Sequence, residues 1–247
     1  MDRVLYIAMS GAKENMHGIS IKANNLANTG TTGFKADLEQ ARAMQAFGEG
    51  LPTRVFSMTE RPGQNFDDGA ITMTERDLDI ALTGKGWFAV QDADGNEAYS
   101  RDGNLQLSST GVLQTAGGLP VIGEQGVIQL PLPVQKMEIG KDGTISIRPQ
   151  GAPANVMEPV ARIKLVSPAF ADVEKGLDGL FRRKDGEVAE ANATVSIQSG
   201  ALETSNVNAV GEMTQMISLQ RQFEVQVKMM KTAEEMDRQH NQIMRII

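Results

Sequence analysis

The chain has 247 residues, a formal net charge of −7 and no cysteine. That composition removes disulfides, cysteine-type zinc sites, iron–sulfur clusters and thiol nucleophiles, and the lack of a basic block argues against a nucleic-acid surface. Aromatic residues make up only 4% while methionine is frequent at 14, many of them near the two ends, where a flexible side chain suits irregular helix contacts.

The first predicted element is a helix from Asp2 to about Asn28. Its apolar residues fall at Leu5, Met9, Ala12, Met16, Ile19, Ala23 and Leu26, alternately four and three apart, which is a heptad stripe. Asp2 suits the positive end of the helix dipole, and Asn28-Thr29-Gly30 followed by Gly33 is a stop signal. Early charges at Asp2 and Arg3, with Ser10, Lys13, Glu14 and Asn15, break any apolar run, so no secretory leader is expected here. No stretch approaches the ~20 apolar residues of a membrane span, so no direct membrane insertion is expected.

Between about Phe34 and Met73 the periodicity weakens. Lys35 to Phe47 is open to a helical continuation, after which Gly48, Gly50, Pro52, Pro62, Gly63 and Gly69 break the chain into an extended connector. From about Leu78 short strands alternate with turns. Trp87–Gln91 and Ala98–Arg101 read as a hairpin closed by Asp92-Ala93-Asp94-Gly95-Asn96, and Met137–Ile139 with Ile145–Ile147 as another around Lys141-Asp142-Gly143. About 110 residues of this kind are enough for one small β core.

A long helix is predicted after Ser205-Asn206-Val207-Asn208, whose Ser and Asn are favoured N-caps. It carries a stripe at Met213, Met216, Gln220, Phe223, Val227 and Met230, then slips to Ala233, Met236, His240, Ile243 and Ile247. A polar Gln220 inside the stripe is read as a register device. Arg221 with Glu224 and Glu234 with Arg238 are spaced for surface ion pairs. The expected fold class is α+β: a discontinuous helical coiled-coil domain made from both termini (1–34 and 196–247), a connector (35–75) and a central all-β domain (76–195).

Sites for chemistry are weak. Asp92–Glu97 departs from a calcium loop because the required glycine position holds Glu97. Gly84-Lys85-Gly86 lacks phosphate-loop spacing, and His17 and His240 sit in helices at opposite ends of the chain with no nucleophile motif nearby. No catalytic residue, metal or cofactor is expected. Trp87 and Tyr99 leave open a sugar platform on the β domain, hence a peptidoglycan-binding module, although a lone Trp beside Phe88 is more often core.

Three runs carry a resemblance. Asn24-Asn25-Leu26-Ala27-Asn28 with Thr32-Gly33-Phe34-Lys35, Leu78–Ala81 with Gly84–Phe88 and Tyr99–Asn104, and Gly200–Glu203 with Ser205-Asn206-Val207-Asn208 together resemble the bacterial flagellar rod and hook family. The resemblance spans the chain. Met1-Asp2-Arg3, Tyr6 and Ser10-Gly11-Ala12 lean toward its proximal-rod members, with the distal-rod subunit as the alternative. It implies a structural subunit that polymerises helically into the hollow drive shaft crossing the periplasm. The implied partners are copies of itself, other rod proteins and the flagellar type III export apparatus, with no cleaved signal peptide. Asn24, Asn25 and Asn28 are expected either to cap the first helix or to bond to neighbours. Gly30 and Gly33 are read as backbone devices, and Phe34 as an anchor for the connector.

Overall fold

The computed structural model describes residues 2–45, 55–60, 63–151, 153 and 157–244. Met1, Phe47, Gly48, Gly50, Pro52, Pro62 and Ile247 lie outside the described residues. The fold is α+β, with a helix at each end and a mostly β middle. It divides into two compact units, a helical unit of residues 1–28, 36–65 and 207–247 and a β unit of residues 29–35 and 66–206. Among the described residues no helix is long and apolar enough to cross a membrane.

In the helical unit α1 spans Asp2–Ala27 and α2 spans Ala209–Met244. At the end of α1 the Asn28 amide group donates to the carbonyl of Asn24 at 2.9 Å, which satisfies a terminal carbonyl. At the start of α2 Asn208 is the N-cap, its Oδ1 accepting from the Gly211 N–H at 3.1 Å. The helices run antiparallel. A Cβ added at Gly11 would meet Gln226, and one at Gly18 would lie 3.1 Å from Leu219. Further along, Lys22 is 3.6 Å from Glu212. Numbers rising on one helix meet numbers falling on the other.

Residues Gln40–Gln45 and Val55–Glu60 form an antiparallel pair in the register Gln40↔Glu60 to Gln45↔Val55. The helical continuation considered over Lys35–Phe47 is therefore corrected over 40–45. A paired strand satisfies the backbone there, and such tertiary pairing overrides a weak local helix preference. The Thr59 N–H on the second strand donates to Glu14 Oε2 of α1 at 2.7 Å.

The β unit is built on the hairpin Trp87–Gln91 with Glu97–Ser100, in the register Phe88↔Ser100 to Gln91↔Glu97. It is the centre of a five-stranded sheet completed by Leu165–Val166 on one side and by Phe181–Arg183 and Val173–Lys175 on the other. Side chains alternate between its faces. Phe88, Val90 and Ala98 enter the larger core with Leu105, Leu113, Val121, Ile145, Ile147 and Ile163. Trp87, Ala89 and Tyr99 enter a second core with Val166, Val173 and Phe181. Covering both faces explains why Trp87-Phe88-Ala89-Val90 is apolar without a break. The hairpin predicted around Lys141–Gly143 is present, pairing Val134–Ile139 with Thr144–Pro149. Near the end of the unit, Ser196–Ser199 pairs with Ile80–Thr83 and Ala201–Glu203 with Ile71–Met73, which returns the outgoing chain to the start of the unit.

Candidate assembly faces and a buried ionic junction

The α1 face toward α2 is made of small and polar residues. Gly11, Gly18, Lys22 and Asn25 come up against α2, and Ala8, Ala12 and Ile21 are the other buried residues of α1. Of the expected stripe, Ala12 is buried, Leu5, Ile19 and Leu26 are half-buried, and Met9, Met16 and Ala23 are exposed in the single chain. On α2, Met216, Phe223, Val227 and Met230 are half-buried while Met213 and Gln220 are exposed. The physical reason is close approach: glycine and alanine let two helix backbones come together, which turns the bulkier residues of α1 away from the contact. The polar contacts within the pair are made by Lys22, Asn25 and Glu212. Lys22 lies 3.7 Å from Glu39 and 3.6 Å from Glu212, and Asn25 Nδ2 donates to Glu212 at 3.4 Å. The expected pair of Glu234 and Arg238 forms at 2.6 Å on the exposed side of α2.

The asparagine run divides its work. Asn28 caps α1. Asn25 is buried and pairs with the backbone of Asp37, giving Nδ2–H to its carbonyl and accepting its N–H, both at 2.9 Å. Asn24 and Ala27 are exposed. At the far motif, Asn208 caps α2, and the Asn206 amide donates to the Asp67 carbonyl at 3.0 Å inside the β unit. Ser205 and Val207 are half-buried.

The β unit also contains an ionic junction that was not singled out in the sequence. Glu203 is fully buried and is met by two cations, Lys35 Nζ at 2.7 Å and Arg101 Nη1 at 2.9 Å. The Gly69 N–H donates to the same carboxylate at 3.0 Å. Asp68 receives Arg101 at 2.7 Å and stands 3.7 Å from Lys35, so two positive charges face two negative ones. Lys35 also donates to the Asp67 carbonyl at 2.7 Å. The remaining Arg101 donors reach the carbonyls of Gly86 and Gly84. Lys35, Arg101 and Glu203 are buried and mutually partnered while Asp68 is exposed at the rim, so removing one of the buried three strands a buried charge. Burial pushes the Lys35 ammonium below its ordinary range, and its bond to Glu203 works against that shift.

Backbone closes the same junction. The Gly33 N–H donates to the Glu203 carbonyl at 2.8 Å and the Asn206 N–H to that of Phe34 at 3.3 Å. Gly33 has φ +65°, and a Cβ there would lie 2.2 Å from the Arg101 carbonyl oxygen. Glycine is required on both counts. The Phe34 ring lies under the Lys175 ammonium at 3.7 Å. All three runs that carry the resemblance thus meet here, through Gly33 and Lys35, through Gly84, Gly86 and Arg101, and through Glu203 and Asn206. What sequence reading lacked was the pairing, since nothing local marks Lys35, Arg101 and Glu203 as neighbours.

The sugar platform is corrected. Trp87 and Tyr99 are each 1% exposed. Trp87 packs edge-on against Phe66 and Phe170, which stack on each other at 4.4 Å, and the Tyr99 hydroxyl accepts the Ala189 N–H at 2.7 Å. Asp92 Oδ1 accepts the N–H groups of Asp94 and Asn96, and Oδ2 accepts Arg182 at 2.8 Å. Its carboxylate is engaged in closing the hairpin turn.

Two family models fall on these regions. Residues 81–147 match the flagellar hook protein FlgE/F/G D1 domain, and residues 198–243 match the flagellar basal body rod FlgEFG protein C-terminal region. Over the whole chain the sequence is 42% identical to the flagellar basal-body rod protein FlgF of Escherichia coli, covering 99% of both chains. The chain belongs to the FlgF family of flagellar basal-body rod proteins. It is similarly related to FlgF of Salmonella typhimurium, 41% identical over 99% of both chains. Identity to the rod protein FlgG of Buchnera aphidicola subsp. Schizaphis graminum is 31%, covering 94% of this chain and 96% of the other. As a FlgF-family protein the chain is a structural subunit of the flagellar basal-body rod. The ionic junction joins Lys35 and Asp68 from the segment preceding the D1 match, Arg101 from inside it and Glu203 from the C-terminal match.

Proposed function

We propose that this rod subunit polymerises helically, head to tail, with its two terminal helices forming a coiled-coil core and its β domain facing outward. In this reading the helical core is the unit of residues 1–28, 36–65 and 207–247, and the outward domain is the β unit of residues 29–35 and 66–206. The observation that carries it is the distribution of apolar residues on the helix pair. Each helix covers part of its surface with the other and still exposes large apolar side chains: Met9 and Met16 on α1, and Met213, Ile217, Val225, Met229 and Met236 on α2. Exposed apolar area of this extent calls for further copies or neighbouring rod proteins. Heterologous contacts repeated without ring closure give a filament, and many weak contacts then sum into a stiff hollow shaft that passes torque by side-chain interlock.

A position in the proximal rod is favoured over the distal rod because identity is 42% to FlgF of Escherichia coli and 41% to FlgF of Salmonella typhimurium, against 31% to FlgG of Buchnera aphidicola subsp. Schizaphis graminum. Export by the flagellar type III apparatus belongs to the same reading. The deciding experiment is peptide mass spectrometry on purified hook–basal bodies. Peptides of this chain should co-purify with the other rod proteins and disappear from a rod-less mutant. Finding the protein only free in the cytoplasm or periplasm would overturn the proposal.

A further inference from the structure

The chain passes between its two units at four places, after residues 28, 35, 65 and 206. Three of these lie beside the ionic junction. Lys35 is the last residue before one crossing, Asp67 and Asp68 follow another closely, and Glu203 and Asn206 precede the last. We propose that the Arg101–Glu203–Lys35–Asp68 set is a clamp that gathers the segments leading out of the β unit and fixes their directions for rod assembly. Arg101, Glu203 and Lys35 are its positioning residues.

The geometry gives each a separate task. Arg101 comes from the folded interior of the β unit, between the paired strands and the Asp102-Gly103-Asn104 turn. Its planar fork reaches the Gly84 and Gly86 carbonyls on one side and both carboxylates on the other. Glu203 ends the outgoing strand, and its backbone carbonyl holds Gly33 while its carboxylate holds Lys35 and Gly69. Lys35 then ties the short excursion of residues 29–35 to Asp67 at the re-entering segment. The larger core has no member in this set. Loss of the clamp should therefore free the outgoing segments while the core stays packed. A lysine at 101 has no fork and cannot serve both carbonyls and both carboxylates together.

The test uses the full-length chain with Arg101→Leu and Arg101→Lys. Hydrogen exchange followed by mass spectrometry is expected to be at least tenfold faster in peptides covering residues 29–35, 66–70 and 201–206. Peptides covering 111–123 and 144–149 should be unchanged. Both variants, produced at wild-type level, should fail to restore swimming to a strain lacking its own copy. Equal loss of protection in the core peptides would overturn the clamp, as would unchanged protection at the junction or full rescue by Arg101→Lys. Normal swimming with a loosened junction would overturn the assembly role alone, because the exchange result does not depend on the rod function. Should Arg101→Leu not fold, Lys35→Met is read in the same way, since it keeps the aliphatic stem and removes one charge.

Discussion

The Asn25 side chain pairs with the backbone of Asp37 as one strand pairs with another, giving and receiving a hydrogen bond at 2.9 Å each. An amide presents a donor and an acceptor side by side, so asparagine matches a peptide group as no residue of similar size and single polarity can. Asn25→Ala removes both bonds in a buried site, at about 1–3 kcal/mol per group left without its partner. The expected loss is about 2 to 6 kcal/mol in urea unfolding, against under about 1 kcal/mol for Asn28→Ala at the half-buried end of α1. Equal effects at the two positions would contradict the division of roles.

Gly33→Ala should be among the most damaging single-methyl changes in the β unit. The left-handed backbone alone costs an L-residue about 1–2 kcal/mol. The added Cβ must also displace the Arg101 carbonyl, which is backbone and cannot swing aside. A fall in Tm of several degrees is expected. Gly30→Ala is the control, because nothing lies within 4 Å of a Cβ there.

Both helices, their caps at Asn28 and Asn208 and the two hairpins were legible, because capping chemistry, turn residues and period-two alternation are local signals. The packing face of α1 was harder to see. Hydrophobic periodicity weights Met9 and Met16, yet Gly11 and Gly18 make the close approach to Gln226 and Leu219, and small residues carry little hydrophobic signal. The junction was hidden for a different reason. Lys35, Arg101 and Glu203 each look like an ordinary surface charge, and their burial depends on pairing across 102 and 168 positions, which one sequence does not encode locally.

Asp92 offers a pH-dependent test. The Arg182 guanidinium holds its carboxyl below the ordinary value of 3.8, with the Asn96 and Asp94 N–H groups acting in the same direction. A depressed carboxyl pKa means that the unfolded chain binds its proton at a higher pH than the folded one. Its stabilisation is therefore fully present above pH 3.8 and is lost as pH falls through the lower folded value. Asp92→Asn should destabilise the β unit by about 1 kcal/mol at neutral pH, toward the low end for a bond to a charged group because Arg182 is partly exposed. The gap between variant and wild type in urea midpoints should close as pH drops below 3.8. A gap that stays constant into acid would remove the ion pair as its source.

Substitutions on α2 separate packing within the chain from assembly between chains. Phe223 lies one turn from Leu219 and nearly one turn from Gln226, both of which face α1, so Phe223→Asp should weaken the helix pair itself. Val225 and Met229 lie on an exposed face, at 57% and 46% exposure. An aspartate at either of these positions meets water in the single chain and should change its unfolding free energy by less than about 0.5 kcal/mol. In a packed shaft the same carboxylate would be buried without a partner, at a cost of several kcal/mol per contact. Val225→Asp and Met229→Asp are thus expected to give stable, soluble monomers that do not enter hook–basal bodies and do not support swimming. Leu26→Asp, at a half-buried position of α1, should also block assembly and leave the β unit folded. Normal basal bodies built from Val225→Asp and Met229→Asp subunits would show that this face of α2 is not covered in the rod, and the assembly contacts would then have to be sought on the Met9 and Met16 side of α1.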